Sequence, residues 1–530
     1  MEFTIRSNEA AMPHKRHWQF CIGSGHAHLA LRTDYVRQLA FIHDTLGIQR
    51  VRFHGIFDDD MCTRTDLSQL YQITGAEEYQ EVNFHACGVV YDNVLAAGMK
   101  PFVELSFMPD SLAASGQHGV FFYKPNICMP ADMNAWREYI QEFIRFLIHR
   151  YGTEEVRTWF FEIWNEPDLQ VVFFNGKRDD YFRFYETTVQ AVKDVDPHLQ
   201  VGGPATSGSK WVSSFLKYCK EHQVPVDFVT THQYAGDPLG GVEDQGEALE
   251  EERKSSGGWA ERLKRMSERL KTSKNKQMLS GLRAILPDPS EEREIPNNIF
   301  RIHSEIVQKQ AEGLPVYYTE WNLNATFGSY TNDTRKVAAY IVKAALETDD
   351  FIDGSSIWCF SDIFEEFHPF VEQFHGGFGL LTQDGIPKPA YYALKMLAEA
   401  PANRLDLGKK ATMGEVGIAA FRDAEQTQIL LFRQRMKNDA MPGEHVILRL
   451  ECEKAPESVT IKRIDESHGN PLKLWEQAGS PRDMNCAEVE ALKKRSAVTE
   501  ETWPFTYEGG MVSIQVVLQT NDVYMISVRA

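Results

Sequence analysis

The sequence feature that most constrains the fold is an eightfold alternation of short apolar runs with stretches of helical periodicity. It extends from about residue 17 to about residue 400 of the 530-residue chain. Each β-branched or aromatic run is followed by an amphipathic stretch, which is the pattern of a βα unit. Eight consecutive units of this kind predict a closed parallel barrel. The predicted strands comprise residues 19–25, 49–55, 100–108, 157–165, 199–203, 226–234, 314–321 and 355–362.

The stretches between these strands carry helix signals. Residues 134–151 place Trp136 and Ile140 on one apolar face, and residues 180–195 end at an Asp-Pro pair that stops a helix. A third helix is predicted at residues 333–347. No Gly-rich phosphate loop follows any strand, so a nucleotide-binding sheet has no support. The pattern therefore favours an α/β fold of the (β/α)8 TIM-barrel type over a doubly wound sheet.

The periodicity changes to two near residue 401, which predicts an all-β domain, a sandwich, at the C-terminal end of the chain. A charged interruption at residues 485–502 is predicted to be helical, and the extreme N-terminus is predicted to add a strand to the same domain. The predicted division is residues 1–13 as that strand, 14–400 as the barrel with a long charged insertion at about 241–298, and 401–530 as the sandwich. Its strands are predicted at residues 416–421, 429–432, 445–450, 459–464, 511–517 and 523–528.

Composition excludes some classes of partner. The chain has 75 acidic and 56 basic residues, a formal net charge of −19, and such a surface repels nucleic acid and anionic membranes. No run approaches the ~18 apolar residues of a membrane span. The eight cysteines include no CxxC pair, so neither a metal site nor a cofactor is predicted. Residues 1–20 lack the apolar core of a signal peptide, from which we expect a cytoplasmic protein with free thiols.

Two carboxylates at predicted strand ends carry the candidate chemistry. Glu166 follows the fourth predicted strand within Asn165-Glu166-Pro167, and Glu320 ends the seventh. Cleavage of a glycosidic bond needs two carboxyl groups that flank it, one of which donates a proton to the leaving oxygen. Aromatic neighbours are expected to raise the pKa of Glu166, as a proton donor requires, and the Asn165 amide suits a sugar 2-hydroxyl. The alternative interpretation is that both glutamates are ordinary strand-end residues with no catalytic role.

A series of local motifs resembles glycoside hydrolase family 39, over nearly the whole chain and in particular its bacterial β-xylosidases. The matching stretches include Cys21-Ile-Gly-Ser-Gly-His-Ala-His-Leu-Ala-Leu-Arg32, Val51-Arg-Phe-His-Gly55, Lys100-Pro-Phe-Val-Glu-Leu-Ser-Phe-Met-Pro109, Trp164-Asn-Glu-Pro-Asp168, Thr231-His-Gln-Tyr234, Thr319-Glu-Trp-Asn322, Phe360-Ser-Asp-Ile-Phe-Glu-Glu366 and His375-Gly-Gly-Phe-Gly-Leu-Leu381.

The resemblance implies a double displacement with retention, in which Glu166 is the acid/base and Glu320 the nucleophile. It implies exo-acting release of xylose from non-reducing ends of β-1,4-xylo-oligosaccharides or aryl β-xylosides, with the two carboxyl groups ~5–5.5 Å apart. The resemblance also suggests a homo-oligomer formed through the β-domain. The further residues that it implies around the sugar are His54, Asn165, His232, Tyr234, Trp358, Glu365 and Glu366.

Alternatives remain at this stage. Another glycosidase of the same family, such as an α-L-iduronidase or an enzyme with a different exo- or endo-preference, fits the motifs next best. An iduronidase binds an anionic sugar, which the acidic pair Glu365-Glu366 would repel. An inactive carbohydrate-binding protein is a third reading, which the presence of both glutamates disfavours.

Overall fold

A computed structural model describes residues 1–66, 80–237, 294–366, 372–439 and 441–529 of the chain. Most of the predicted charged insertion, residues 241–293, therefore lies outside the described residues.

The strands, in chain order, are β1 (Glu2–Ile5), β2 (Ala11–Pro13), β3 (Cys21–His26), β4 (Arg50–His54), β5 (Arg64–Asp66), β6 (Gln80–Val82), β7 (Lys100–Leu105), β8 (Phe160–Ile163), β9 (Gln200–Thr206), β10 (Phe228–Tyr234), β11 (Val316–Asn322), β12 (Gly354–Ile357), β13 (Asn403–Leu405), β14 (Thr412–Met413), β15 (Val416–Arg422), β16 (Gln426–Arg433), β17 (Glu444–Glu451), β18 (Ser458–Ile464), β19 (Glu501–Thr502), β20 (Phe505–Glu508), β21 (Met511–Leu518) and β22 (Val523–Arg529).

The α-helices are α1 (Thr33–Leu46), α2 (His85–Ala96), α3 (Met133–Tyr151), α4 (Thr153–Val156), α5 (Arg178–Val195), α6 (Val212–His222), α7 (Ile299–Gln310), α8 (Arg335–Glu347), α9 (Pro389–Glu399), α10 (Pro471–Gln477) and α11 (Cys486–Ser496). The three helices predicted in the barrel region are present as α3, α5 and α8, and the helix predicted in the charged interruption is present as α11.

Eight strands close into one barrel, in the order β10-β11-β12-β3-β4-β7-β8-β9. Every neighbouring pair for which the register is given runs parallel. Each predicted strand overlaps one strand of the barrel, so the predicted fold class is confirmed. The barrel brings the C-terminal ends of all eight strands to one face, which is where the polar strand-end residues lie.

Aromatic side chains fill the opposite, N-terminal end of the barrel. Phe102, Phe160 and Phe228 lie near the starts of their strands and pack with Phe20 and Tyr317 into one cluster. The Phe102 and Phe160 rings are stacked, with centroids 5.7 Å apart and planes 5° apart. This end of the barrel is therefore packed with aromatic rings, over two of which the Arg50 guanidinium lies.

The helices cover the barrel through large apolar side chains. Trp136 of α3 is fully buried, and its indole N–H donates to the Thr188 hydroxyl of α5 at 2.8 Å. The helix starts where the Asp132 side chain accepts a hydrogen bond from the Asn134 N–H, an N-cap that satisfies one backbone donor. Within the described residues, no helix combines the length and the apolar composition that crossing a membrane requires.

Two mostly antiparallel sheets follow the barrel in sequence. One has the order β19-β18-β22-β16-β15-β13-β2, with β14 paired to β15, and the other has the order β1-β17-β21-β20. The inward-facing side chains of both sheets share one apolar core. All six strands predicted from the period of two are present, consistent with the predicted sandwich. The division at residues 13 and 400 stays a prediction.

Candidate active site

The two candidate glutamates lie at the C-terminal ends of β8 and β11. Glu166 follows β8 by three residues, and Glu320 is within β11. Trp164 and Glu166 both have left-handed backbones, with φ of 72° and 40°. Such conformations in residues with a Cβ cost ~1–3 kcal/mol each and concentrate at functional sites. The Glu166 backbone N–H donates to the Ala205 carbonyl of β9 at 2.8 Å, which holds this turn against the neighbouring strand.

The structure brings both carboxylates to one histidine. A carboxylate oxygen of Glu166, one of Glu320 and a ring nitrogen of His232 all lie within 4.8 Å of one another. His232 Nδ1 is 2.9 Å from Glu166 Oε1 and 3.7 Å from Glu320 Oε2. Burial lowers the pKa of His232 below its ordinary value, so the ring next to the two acids is neutral near pH 7.

Glu320 accepts two hydrogen bonds from the barrel interior. Arg52 Nη1 donates to Oε1 at 2.8 Å, and the Tyr234 hydroxyl donates to Oε2 at 2.9 Å. Both oxygens are thus fixed, one by a guanidinium and one by a phenol. The side chain has the fixed position that a nucleophile requires.

Glu166 has a different environment. Burial raises the pKa of Glu166 well above its ordinary value, and the charges of Asp168 and Asp237 raise it further. Lys210 and Arg52 oppose this effect more weakly. Lys210 is itself paired with Asp168, at 2.7 Å. The carboxyl group of Glu166 is therefore protonated to higher pH than that of an exposed glutamate, as a general acid requires.

A buried arginine connects the site to the barrel interior. Arg52 is fully buried in β4 and contacts Glu162 at 2.6 Å, Glu104 at 2.8 Å and the Asn165 side-chain oxygen at 2.8 Å, in addition to Glu320. Burial alone would lower the pKa of Arg52, but the three carboxylates outweigh it and raise the pKa. The guanidinium therefore stays charged and fixes the positions of the Glu320 carboxylate and the Asn165 amide.

His54 lies on the other side of Glu320. Its Nδ1 is 2.7 Å from Glu104, and its Nε2 faces Glu320 at 3.5 Å and Glu366 at 3.7 Å. Burial lowers the pKa of His54 to about 3 and raises that of Glu104 to about 8. The ring is therefore a neutral polar group held in place by Glu104, with one nitrogen directed at the carboxylates. Its ring centroid is 4.9 Å from that of Trp358.

Two polar atoms near the glutamates have no protein partner. Asn165 Nδ2 and Glu366 Oε1 are buried and form no hydrogen bond within the described residues. A buried polar atom without a partner costs ~1–3 kcal/mol, which a bound polar molecule would relieve. Asn165 offers a donor and Glu366 an acceptor, the pair of functions that sugar hydroxyls satisfy.

The predicted site residues divide into two groups. Seven of them contact Glu166 or Glu320 directly or lie beside a residue that does: Asn165, His54, His232, Tyr234, Trp358 and the two glutamates themselves. Glu366 is buried next to His54. Glu365 instead forms an ion pair with Arg32 and is partly exposed, so its described contact is away from the two acids.

Sequence reasoning missed two charged residues within the strands, Arg52 and Glu162, and the polar Thr319, whose hydroxyl donates to Glu162 at 2.7 Å. Glu104 entered only as part of the motif at residues 100–109. The available signal was a charged residue inside an apolar run, as in Val51-Arg-Phe and Phe160-Phe-Glu-Ile. Charged residues inside apolar strands are usually buried only as ion pairs, so an ion pair between these residues could have been predicted from the sequence.

A closed parallel barrel with two neighbouring carboxylates at the C-terminal ends of its strands is the arrangement found in TIM-barrel glycoside hydrolases. The family model described as "Glycosyl hydrolases family 39" matches residues 1–279 and 276–512, so the chain belongs to this family and is a glycoside hydrolase.

Full-length relatives agree with this assignment. The chain is 34% identical over 505 residues to a beta-xylosidase from Caldicellulosiruptor saccharolyticus, covering 94% of this chain and 92% of the relative. It is 32% identical over 521 residues to a beta-xylosidase from Geobacillus stearothermophilus, covering 97% and 93%. A solved structure described as a monomeric beta-xylosidase from Caulobacter crescentus CB15 superposes with a TM-score of 0.78 at 28% identity, covering 100% of this chain and 99% of that one.

Proposed function

We propose that the chain is a retaining, exo-acting β-xylosidase that releases xylose from the non-reducing ends of β-1,4-xylo-oligosaccharides or aryl β-xylosides. The observation that carries the proposal is the joint environment of the two acids: Glu320 accepts hydrogen bonds from Arg52 and Tyr234, and burial raises the pKa of Glu166. The named beta-xylosidases among the full-length relatives support the choice of sugar.

The distance between the acids favours retention. Their nearest carboxylate oxygens are within 4.8 Å, whereas inverting enzymes keep the two carboxyl groups ~6.5–9.5 Å apart to admit a water molecule. A gap of this size suits direct attack by Glu320 on the anomeric carbon.

The proposed reaction has two steps. In the first, a Glu320 oxygen forms a bond to the anomeric carbon while the glycosidic C–O bond breaks, and Glu166 gives its proton to the leaving oxygen. In the second, the Glu166 carboxylate removes a proton from water, the water oxygen bonds to the anomeric carbon, and the bond to Glu320 breaks. His232 remains hydrogen-bonded to Glu166 Oε1 and orients it in both steps. Asn165 Nδ2 is available to bind the 2-hydroxyl.

An exo mode requires a wall behind the terminal sugar. Trp358, His54 and the buried Glu366 are proposed to form this wall. Glu366 accepts hydrogen bonds from the outermost hydroxyls through its unpaired oxygen. A pentose without an exocyclic carbon leaves more room against Trp358 than a hexose does.

The test is hydrolysis of a panel of aryl glycosides by the wild type and by Glu320→Ala. We expect the aryl β-xyloside to be the best substrate, and the loss of the nucleophile to reduce kcat by a factor on the order of 10⁴ or more. NMR of the first product is expected to show the β-anomer. Release of the α-anomer would contradict retention, and full activity of Glu320→Ala would contradict the nucleophile. No turnover of any glycoside would favour a binding protein.

A further inference from the structure

A second cluster of potential ligands lies beside the site, on the neighbouring strand. His26 ends β3 and pairs in register with His54, which ends β4. One ligand atom from each of His26, His28 and Asp60 lies within 4.8 Å of the other two. His26 is buried, whereas His28 and Asp60 are exposed. The cluster therefore has a fixed inner ligand and two outer ligands that face solvent.

The spacing fits one metal ion. His26 Nε2 is 3.2 Å from Asp60 Oδ2. Two ligand atoms that bind the same tetrahedral zinc ion at ~2.0–2.2 Å are about 3.4 Å apart. The His28 ring lies parallel to that of His26, with centroids 6.0 Å apart and planes 9° apart. Because His28 is exposed, a small rotation of its side chain completes a three-ligand site.

An ordinary histidine–carboxylate hydrogen bond explains the cluster less well. In the described parts of the chain His26 Nε2 and Asp60 Oδ2 are 3.2 Å apart without forming a hydrogen bond. A metal ion bound between the two atoms needs this distance but not the geometry of a hydrogen bond. The Tyr123 ring, stacked on His26 at 4.2 Å, fixes the plane of the imidazole without supplying a partner.

The surrounding charge favours a cation. Asp58, Asp59 and Asp60 are consecutive. A cation bound at Asp60 would compensate the charge of the acidic side chains that adjoin it.

We propose that His26, His28 and Asp60 form a binding site for a divalent transition-metal ion, of which Zn²⁺ is the appropriate probe. Two imidazoles and one carboxylate are ligands that zinc accepts, and the open side leaves a position for water or for a ligand from the substrate. The site does not contain either catalytic glutamate. It is connected to the active site by residues 121–123, since Tyr123 packs on His26 and the Phe122 N–H donates to the Glu366 carbonyl at 2.8 Å.

The experiment is isothermal titration calorimetry, in which Zn²⁺ is added to the whole chain and the heat of binding is measured. We expect one tightly bound ion per chain, with affinity lowered about tenfold or more in His28→Ala and in Asp60→Asn. His149→Ala, which removes an exposed histidine from α3, and Cys62→Ser, which removes the nearby exposed thiol, are expected to bind as the wild type does.

The outcomes are distinguishable. The zinc anomalous signal of a soaked crystal is expected between His26, His28 and Asp60. Absence of binding, or equal binding by the wild type and His28→Ala, contradicts the site. In the second case the ion would lie elsewhere, for instance between Glu166, His232 and Glu320. Loss of binding in Cys62→Ser alone would assign the ion to the thiol.

Discussion

At the scale of single residues, the proposed chemistry depends on two chemically identical side chains in different surroundings. Glu320 is bound by a guanidinium and a phenol, whereas Glu166 is buried near Asp168 and Asp237. Arg52 compensates several buried carboxylates at once, and so sets the charge balance on the Glu320 side. In the proposed mechanism, the same residue type serves as nucleophile and as acid because its surroundings differ.

The alkaline limb of activity is expected to follow the pKa of Glu166. The Asp168 charge raises this pKa and the Lys210 charge lowers it. The variant Asp168→Asn removes this negative charge and is therefore expected to lower the pKa of Glu166. The alkaline limb of kcat/KM then moves to lower pH. Lys210→Met has the opposite sign and moves the limb to higher pH. The measurement is the pH profile of kcat/KM on an aryl xyloside.

The two variants control for each other. Asp168 and Lys210 contact one another, so a purely structural loss would reduce activity in both without displacing the limb in opposite directions. Shifts of the same sign in both variants would show that Glu166 does not determine the alkaline limb.

At the scale of elements, close approach between β3 and the end of β12 shapes the site. Gly23 lies in β3, and a Cβ built there would be 2.6 Å from Cε3 of Trp358. Real Cβ atoms essentially never approach a ring carbon so closely. The added Cβ could not move away from the ring either, because the Ile357 backbone carbonyl would be only 3.1 Å from it. The position of the tryptophan ring therefore depends on the absence of a side chain on the neighbouring strand.

Gly23→Ala is expected to displace Trp358 and to lower kcat/KM about 10- to 100-fold, because a misplacement near 1 Å at a site wall costs this much. Gly116→Ala is the matched control, since a Cβ there meets nothing within 4 Å. Its kcat/KM is expected to equal that of the wild type. The assumption that Trp358 contacts the sugar would be wrong if Gly23→Ala kept wild-type kinetics while its structure showed a displaced ring.

At the scale of the whole molecule, the chain begins and ends in the same domain. Strand β1 pairs in parallel with β17, more than 400 residues later, and β2 pairs with β13. Phe3 is 1% exposed and Ile5 is fully buried in the core between the two sheets. The first residues therefore complete a domain whose other strands follow the barrel.

Phe3→Ala is expected to lower the free energy of unfolding by about 3–5 kcal/mol, the cost of removing a fully buried phenyl ring. Met12→Ala, on β2, is the control, since Met12 is 40% exposed and its loss should change stability by no more than ~0.5 kcal/mol. Denaturant unfolding measures both values. Neither variant should alter kcat under native conditions, because the acids lie in the barrel. An unfolding free energy of Phe3→Ala equal to that of Met12→Ala would mean that β1 adds nothing to the sandwich.

Local pattern was sufficient to predict the barrel and the sandwich strands, and it singled out two glutamates that the structure brings together. Strand periodicity is a property of a few adjacent residues, and parallel strands in a closed barrel bring their C-terminal ends together whatever the sequence between them. Glu166 and Glu320 could therefore be paired from sequence although they are 154 positions apart.

Only the tertiary structure decided how the charges are shared. Arg52 meets Glu162, Glu104 and Glu320 because the barrel brings together four strands from different parts of the sequence. The positions of Glu365 on Arg32 and of His26 beside Asp60 are likewise set by loop conformation. Hydrogen bonds, burial and pKa shifts depend on distances between groups remote in sequence, so no local pattern encodes them.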